Sequence, residues 1–169
     1  MADGNASPTT FIPTADNARL FRRALGTFTT GVTIVTCRTE AGPLGITANS
    51  FSSLSLDPPL VLWSPARSSG RFQAFHDAPH FAIHVLADTQ AALCDGFARA
   101  GDIFDGVDWA ADDTGVPLME GCLARFVCTR HAVHDGGDHA IVVGHVRAVT
   151  IGAGAPLVFA RGQIARLAD

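Results

Sequence analysis

Between positions 45 and 64 the chain reads Gly-Ile-Thr-Ala-Asn-Ser-Phe-Ser-Ser-Leu-Ser-Leu-Asp-Pro-Pro-Leu-Val-Leu-Trp-Ser, a strand-like stretch carrying Thr47, Asn49, Ser50, Ser52, Ser53 and Ser55. A buried hydroxyl or amide without a partner costs about 1–3 kcal/mol, so polar groups at this density need a use. Together with Ser64 and the loop Ser68-Ser69-Gly70-Arg71, they can present hydroxyls, amides and backbone N–H groups to a phosphorylated heterocycle. The same pattern also fits alternate hydroxyls facing water from one side of an antiparallel strand. A second set is Gly137-Asp138-His139, at the entrance to the apolar run Ala140-Ile141-Val142-Val143-Gly144. An imidazole there can donate to a ligand or hold an anionic group, although Gly-Asp is also an ordinary hairpin turn.

Other chemistries fail on the same residues. Every base is an arginine, so Schiff-base lysine chemistry and a Walker-type phosphate loop are both excluded. The run Gly152-Ala153-Gly154-Ala155 lacks the third glycine of a dinucleotide fingerprint and opens no helix, and no Gly-x-Ser-x-Gly elbow is present. His76, His80 and His84 recur every four residues as a helical metal site would, but Pro79 breaks any such helix. His131 and His134 with Asp135 read as a solvated strand end. No metal site is expected. The four cysteines, Cys37, Cys94, Cys122 and Cys128, lack metal-ligand spacing and read as reduced core thiols.

With 169 residues, 47% of them hydrophobic, the chain suits one domain with a substantial core. A net charge of −4, from 16 acids and 12 bases, offers no basic stripe for a nucleic acid. No apolar run approaches the ~18 residues of a membrane span, and the N-terminal residues lack the order of a secretion signal. The expected location is cytoplasmic.

The elements that must position these residues are mostly strands. Residues 1–13 read as a flexible lead, and the domain spans 14–169. Leu20, Phe21, Ala24, Leu25 and Phe28 recur at helical spacing after a cap at Thr14 or Asp16, with Arg19, Arg22 and Arg23 off that face. Residues 32–37 alternate as a strand, turn at 40–43 and pair with the polar run. Further strands are expected at 60–63, 81–86, 122–133, 139–151 and 157–167, and short helices at 71–76 and 89–99. Residues 101–120 carry five aspartates in a long loop, expected to be a lid or an interface element. Six or seven strands without regular helical crossovers predict a mainly β protein, an antiparallel, Greek-key-like, closed or nearly closed barrel with a few short flanking helices.

Five segments in order carry a resemblance. Phe21 to Phe28 with Thr30 to Thr36, Gly45 to Phe51, Ser53-Leu54-Ser55-Leu56-Asp57-Pro58-Pro59, Gly137-Asp138-His139 and Phe159-Ala160-Arg161-Gly162 together resemble the short-chain flavin reductase family, over about residues 16–167. The resemblance implies an FMN-binding split barrel, a homodimer, and reduction of FMN or FAD by NADH or NADPH. It also implies delivery of reduced flavin to a separate monooxygenase.

By the same resemblance Thr47, Ala48, Asn49 and Ser50 line the ribityl chain and ring edge, with backbone donors extending to Phe51. Ser64, Ser68, Ser69, Gly70 and Arg71 approach the phosphate, and His84 contacts the flavin from its strand. Thr30 and Gly31 touch the ring. Gly137, Asp138 and His139 border the nicotinamide site, His139 orienting the nucleotide there, and Phe159 with Arg161 completes it. Hydride transfer between two rings stacked at about 3–3.5 Å needs no side-chain nucleophile, in keeping with the lack of an acid–base dyad. Unlike many relatives the chain has no lysine or tyrosine, so phosphate pairing and ring stacking fall to arginine, serine, phenylalanine or tryptophan. Two other readings are a flavin binder without turnover and an oxidase of the pyridoxamine-phosphate type. The missing lysine and the Gly-Asp-His match both weigh against the oxidase.

Overall fold

The computed structural model describes residues 8–167, so residues 1–7 of the expected lead lie outside it, and residues 8–13 form no helix or strand. The order of elements is α1 (Ala18–Leu25), β1 (Thr30–Gly31), β2 (Thr33–Thr39), β3 (Gly42–Ala48), β4 (Ser52–Leu56), β5 (Pro59–Trp63), α2 (Phe72–Asp77), β6 (His80–Val85) and α3 (Ala91–Arg99). It continues with β7 (Trp109–Ala111), β8 (Pro117–Met119), β9 (Ala124–Gly136), β10 (His139–Ile151), β11 (Leu157–Ala160) and β12 (Gln163–Arg166). The protein is mainly β, antiparallel throughout, with few short helices.

Seven strands form one sheet in the order β3-β2-β6-β9-β10-β5-β4. Its two edges, β3 and β4, are consecutive in the chain and joined by residues 49–51 alone. In a flat sheet six strand spacings would part them by about 29 Å, whereas so short a link reaches only about 14 Å. The sheet must therefore curl until its edges meet at that link. Closure does not follow, because β3 and β4 share no ladder among the described residues, and of the expected closed or nearly closed barrel the structure shows an open, curled sheet. The physical reason lies at Asn49, Ser50 and Phe51, where the polar run leaves extended pairing and divides into two strands rather than one.

Inside the curl Trp63 meets Phe75 edge to face at 5.3 Å, with Val35, Phe81, Ile83, Cys128 and Val142 around them. A second core lies on the other side of β2, where Ile34, Leu86, Phe97, Phe104, Met119 and Leu157 pack together. Because β2 is covered on both sides, Thr33 and Thr36 are buried too, and their hydroxyls donate to the carbonyls of Ala48 and Pro117 at 2.8 and 2.6 Å. All four cysteines are free, and burial pushes the Cys37 and Cys128 thiols up to about 12.

Residues 101–120 are not an irregular lid. Phe104 stacks edge-on against Phe97 and Trp109 at 5.1 and 5.2 Å, and β7 and β8 pair as a small separate sheet. Apolar residues between the aspartates draw the segment onto the second core, while Asp112 accepts hydrogen bonds from the N–H groups of Thr114 and Val116 at its turn. The expected last strand, 157–167, is broken at Arg161-Gly162 into β11 and β12, which join β1 in a three-stranded sheet.

Candidate functional site

A groove of about 1050 Å³ opens where α1, the short sheet and the β3–β4 link face one another. Thr30, Asn49, Ser50, Phe159 and Arg161 line it, which brings together five sequence-predicted residues from three distant parts of the chain. The α1 wall adds Arg19, Arg22, Arg23 and Leu25, and the segment after it adds Phe28. These three arginines are not among the residues expected at the site, although their i, i+3, i+4 spacing marks one helical face. A smaller cavity of about 160 Å³ near Glu120, Cys122 and Arg125 contains none of the expected residues.

The groove has one unusual polar atom. The Thr30 hydroxyl oxygen is buried without a hydrogen-bond partner, on a strand whose register sets Thr30 opposite Phe159. A hydroxyl in that position carries the cost of an unmade hydrogen bond unless something else supplies a partner. Ser50, by contrast, is spent on the scaffold: its Oγ accepts the Ser64 N–H at 2.9 Å and donates to the Ser64 carbonyl at 3.2 Å. This clip ties the link to the end of β5.

From Ser64 the contacts run on to the second predicted set. Pro65 accepts the Ala140 N–H at 3.1 Å, and Ala66 bridges to His139. Arg67 then holds the β9–β10 turn. Its backbone N–H donates to the Asp138 carbonyl at 2.9 Å, its Nε to the Gly137 carbonyl at 3.0 Å, and its terminal nitrogen pairs with Asp135 at 2.7 Å. Gly137, at a φ of 75°, makes the turn that a side chain would strain. His139 Nδ1 and Asp138 Oδ1 are 2.7 Å apart, and this hydrogen bond, with the imidazole's charge, holds the Asp138 carboxyl below its usual range.

Several residues expected at the site have partners within the chain or lie off the groove. His84 has no exposed surface, and both its ring nitrogens are engaged within the chain, Nδ1 at 3.0 Å from the Ile34 carbonyl and Nε2 accepting the Met119 N–H at 3.1 Å. Burial in the second core leaves it nothing to offer a ligand. Arg71 donates to the carbonyls of Gly45, Phe97 and Ala98 at 3.1, 2.6 and 3.1 Å, capping the end of α3 rather than standing free for a phosphate. Thr47 turns its hydroxyl to the Cys94 carbonyl at 2.7 Å, and Phe51 stacks on Phe126 at 5.4 Å. Ala48, Gly31, Ser68, Ser69 and Gly70 do not line the groove. Ala48 accepts from Thr33, Ser69 Oγ accepts the Arg71 N–H at 3.2 Å, and Ser68 and Gly70 are exposed loop residues beside it. Among the described residues no cluster of three or more His, Cys, Asp or Glu could hold a metal ion.

A curled antiparallel sheet with a large groove at its seam, polar on one wall and aromatic on another, is the frame of a protein that binds a flat heterocycle. The family model described as the flavin reductase-like domain matches residues 25–168, and the chain belongs to that family. It is 56% identical over 156 residues to FMN reductase (NADH) SmoA of Agrobacterium fabrum, covering 92% of this chain and 90% of that one. The reductase subunit HsaB of a flavin-dependent monooxygenase from Rhodococcus jostii is 42% identical, over 88% of this chain and 77% of the relative. Among solved structures the NADH:FAD oxidoreductase SgcE6 of Streptomyces globisporus superposes with a TM-score of 0.87 at 37% identity, over 97% of this chain and 95% of that one. A second SgcE6 structure, in complex with NAD and FAD fragments, gives a TM-score of 0.86 over 94% of this chain and 98% of that one.

Proposed function

We propose that the chain is an NAD(P)H:flavin oxidoreductase that takes hydride from NADH or NADPH, reduces FMN or FAD, and supplies reduced flavin to a partner monooxygenase. The observation that carries this reading is the orphaned Thr30 hydroxyl in a groove of about 1050 Å³, in a chain that matches flavin reductases over most of its length. The residues present fit a flavin. Thr30 offers a donor to a polar ring edge, Asn49 adds an exposed amide at the link, and Phe28 and Phe159 offer apolar surface for a flat ring. When bound, the flavin supplies the hydride-accepting chemistry. The protein's own part is to bind, orient and exclude water.

His139 serves the nicotinamide nucleotide. Asp138 engages its Nδ1, which fixes the ring and leaves Nε2 without a partner among the described residues. Backbone contacts of Gly137 and Asp138 with Arg67 keep the turn in place.

The architecture is proposed as a split barrel whose slit is the β3–β4 seam, in one domain over 14–169 after a lead of 13 residues. A homodimer is part of the proposal, supported by apolar surface at Leu56 and Ile151, which are 96% and 83% exposed. Cytoplasmic location accords with four free thiols, and among the described residues no helix is long and apolar enough to cross a membrane.

Steady-state oxidation of NADH and NADPH, each with FMN or FAD added, tests the function. Flavin-dependent turnover with at least one pair is expected. A protein that binds flavin yet oxidises neither nucleotide would be a carrier, and the proposal would fail.

A further inference from the structure

Of the chain's arginines, Arg67, Arg125 and Arg166 form ion pairs, with Asp135, Glu120 and Asp88. Arg71 and Arg130 are spent on carbonyls. Arg19, Arg22, Arg23, Arg38, Arg99, Arg147 and Arg161 have no guanidinium partner among the described residues, and of these Arg19, Arg22, Arg23 and Arg161 line the groove. No aspartate or glutamate lines it with them. On a chain of net charge −4 this is a concentrated positive wall.

Helix stability does not account for it. Cations at the end of a helix interact well with the dipole, which covers Arg22 and Arg23, but Arg19 lies in the first turn of α1, where the dipole opposes it. Arg161 is more telling. It is the only non-glycine residue with positive φ among the described residues, at 51°, and with Gly162 at 81° it makes the two-residue turn between β11 and β12. Such a turn prefers Asn or Gly at its first position, and a long side chain with a Cβ is strained there. The Arg161 N–H donates to the Gly26 carbonyl at 2.7 Å, which ties this strained turn to the end of α1. The strain and the tether together set a fourth guanidinium in the groove that the α1 arginines line.

We propose that Arg19, Arg22, Arg23 and Arg161 form a clamp for the phosphate or diphosphate tail of a nucleotide in the groove, taking the place expected for Arg71. The clamp rests on the reading of the groove as a nucleotide site. Planar guanidinium groups pair bidentately with phosphate oxygens, and four of them on two elements can meet a tail along its length. The tail belongs either to the flavin or to the nicotinamide dinucleotide, two sources of the same chemistry.

The test is equilibrium binding at low salt of riboflavin, FMN, FAD and ADP-ribose to the wild type, to a triple Arg19→Gln/Arg22→Gln/Arg23→Gln variant and to Arg161→Asn. The Michaelis constant for NADH is measured alongside, and Arg99→Gln, an exposed arginine outside the groove, is the control. Because α1 buries nothing, the triple variant is expected to fold, and its melting temperature checks this. At least tenfold weaker binding of a phosphate-bearing ligand, steeper salt dependence in the wild type, and riboflavin affinity within twofold support the clamp. Loss confined to FMN and FAD assigns it to the flavin tail, and loss confined to ADP-ribose and NADH to the dinucleotide. Equal loss for riboflavin, or no loss for any ligand, overturns it. A wild type that shows the arginine-dependent preference but no turnover would end the reductase reading and leave the clamp standing.

Discussion

His84 and Met119 are joined across the second core by a hydrogen bond of 3.1 Å, in which the imidazole Nε2 accepts the Met119 N–H while Nδ1 faces the Ile34 carbonyl. One neutral ring thus satisfies a donor on β8 and an acceptor on β2. Replacing it by an apolar residue strands the Met119 N–H at a buried site, at about 1–3 kcal/mol, and removes a second bond from the Ile34 carbonyl, which also faces the His84 backbone in the β2–β6 ladder. His84→Leu is expected to lower unfolding free energy by at least about 2 kcal/mol in urea titration, with flavin affinity of the folded fraction unchanged. Loss of flavin binding without loss of stability would return His84 to the ligand site.

The same histidine sets a pH dependence. Burial lowers its pKa from 6.5 to about 4, because protonation would place a second N–H against the Met119 donor in a dry core. Below pH 6.5 the unfolded chain takes up a proton that the folded one refuses, so this stability is complete above pH 6.5 and drains away as pH falls toward about 4. The slope reaches about 1.4 kcal/mol per pH unit. The exposed Asp77 and Asp138, held below their ordinary 3.8 mainly by hydrogen bonds, act only at lower pH. Denaturation between pH 7 and 4.5 should show this loss in the wild type and a flatter profile in His84→Leu.

Thr30→Val separates ligand from scaffold. The change removes a buried hydroxyl that bonds nothing in the protein while keeping its shape, so the melting temperature should hold or rise slightly. Flavin affinity should fall about five- to thirtyfold, the equivalent of one hydrogen bond of 1–2 kcal/mol. An unaltered flavin dissociation constant, read by fluorescence quenching, would remove Thr30 from the site.

Gly45→Ala probes the packing that places β3. A Cβ there would stand 2.5 Å from Cε1 of Phe97, a ring with no exposed surface that Phe104 holds edge-on. Overpacking of this kind costs about 1–3 kcal/mol. A melting temperature lower by several degrees is expected, and an unchanged one would mean that α3 yields freely.

The strands were legible because their patterns are local. Alternation and β-branching announce β2, and Gly137-Asp138 announces the turn before β10, whose bounds match the expected 139–151. Thr30, Asn49, Ser50, Phe159 and Arg161, named through the family resemblance of short segments, meet in one groove. What escaped depends on distant partners. Arg71 follows Ser68-Ser69-Gly70 and so reads as a phosphate loop, yet its guanidinium is claimed by carbonyls 26 and 27 residues away. Nothing near His84 in sequence marks Met119 as its partner, and the aspartates of 101–120 mask the apolar residues that fold that segment inward. The polar run gave no sign of breaking at 49–51, because only the curl of seven strands brings its two halves to opposite edges of one sheet.

That break has a mechanical consequence. Asn49 and Ser50 sit on the three-residue hinge between the first and last members of the seven-stranded sheet, so a molecule seated beside them fastens the sheet's beginning to its end. An occupant of that corner would touch both edges of the sheet at once, as a clasp joins the two ends of an open bracelet.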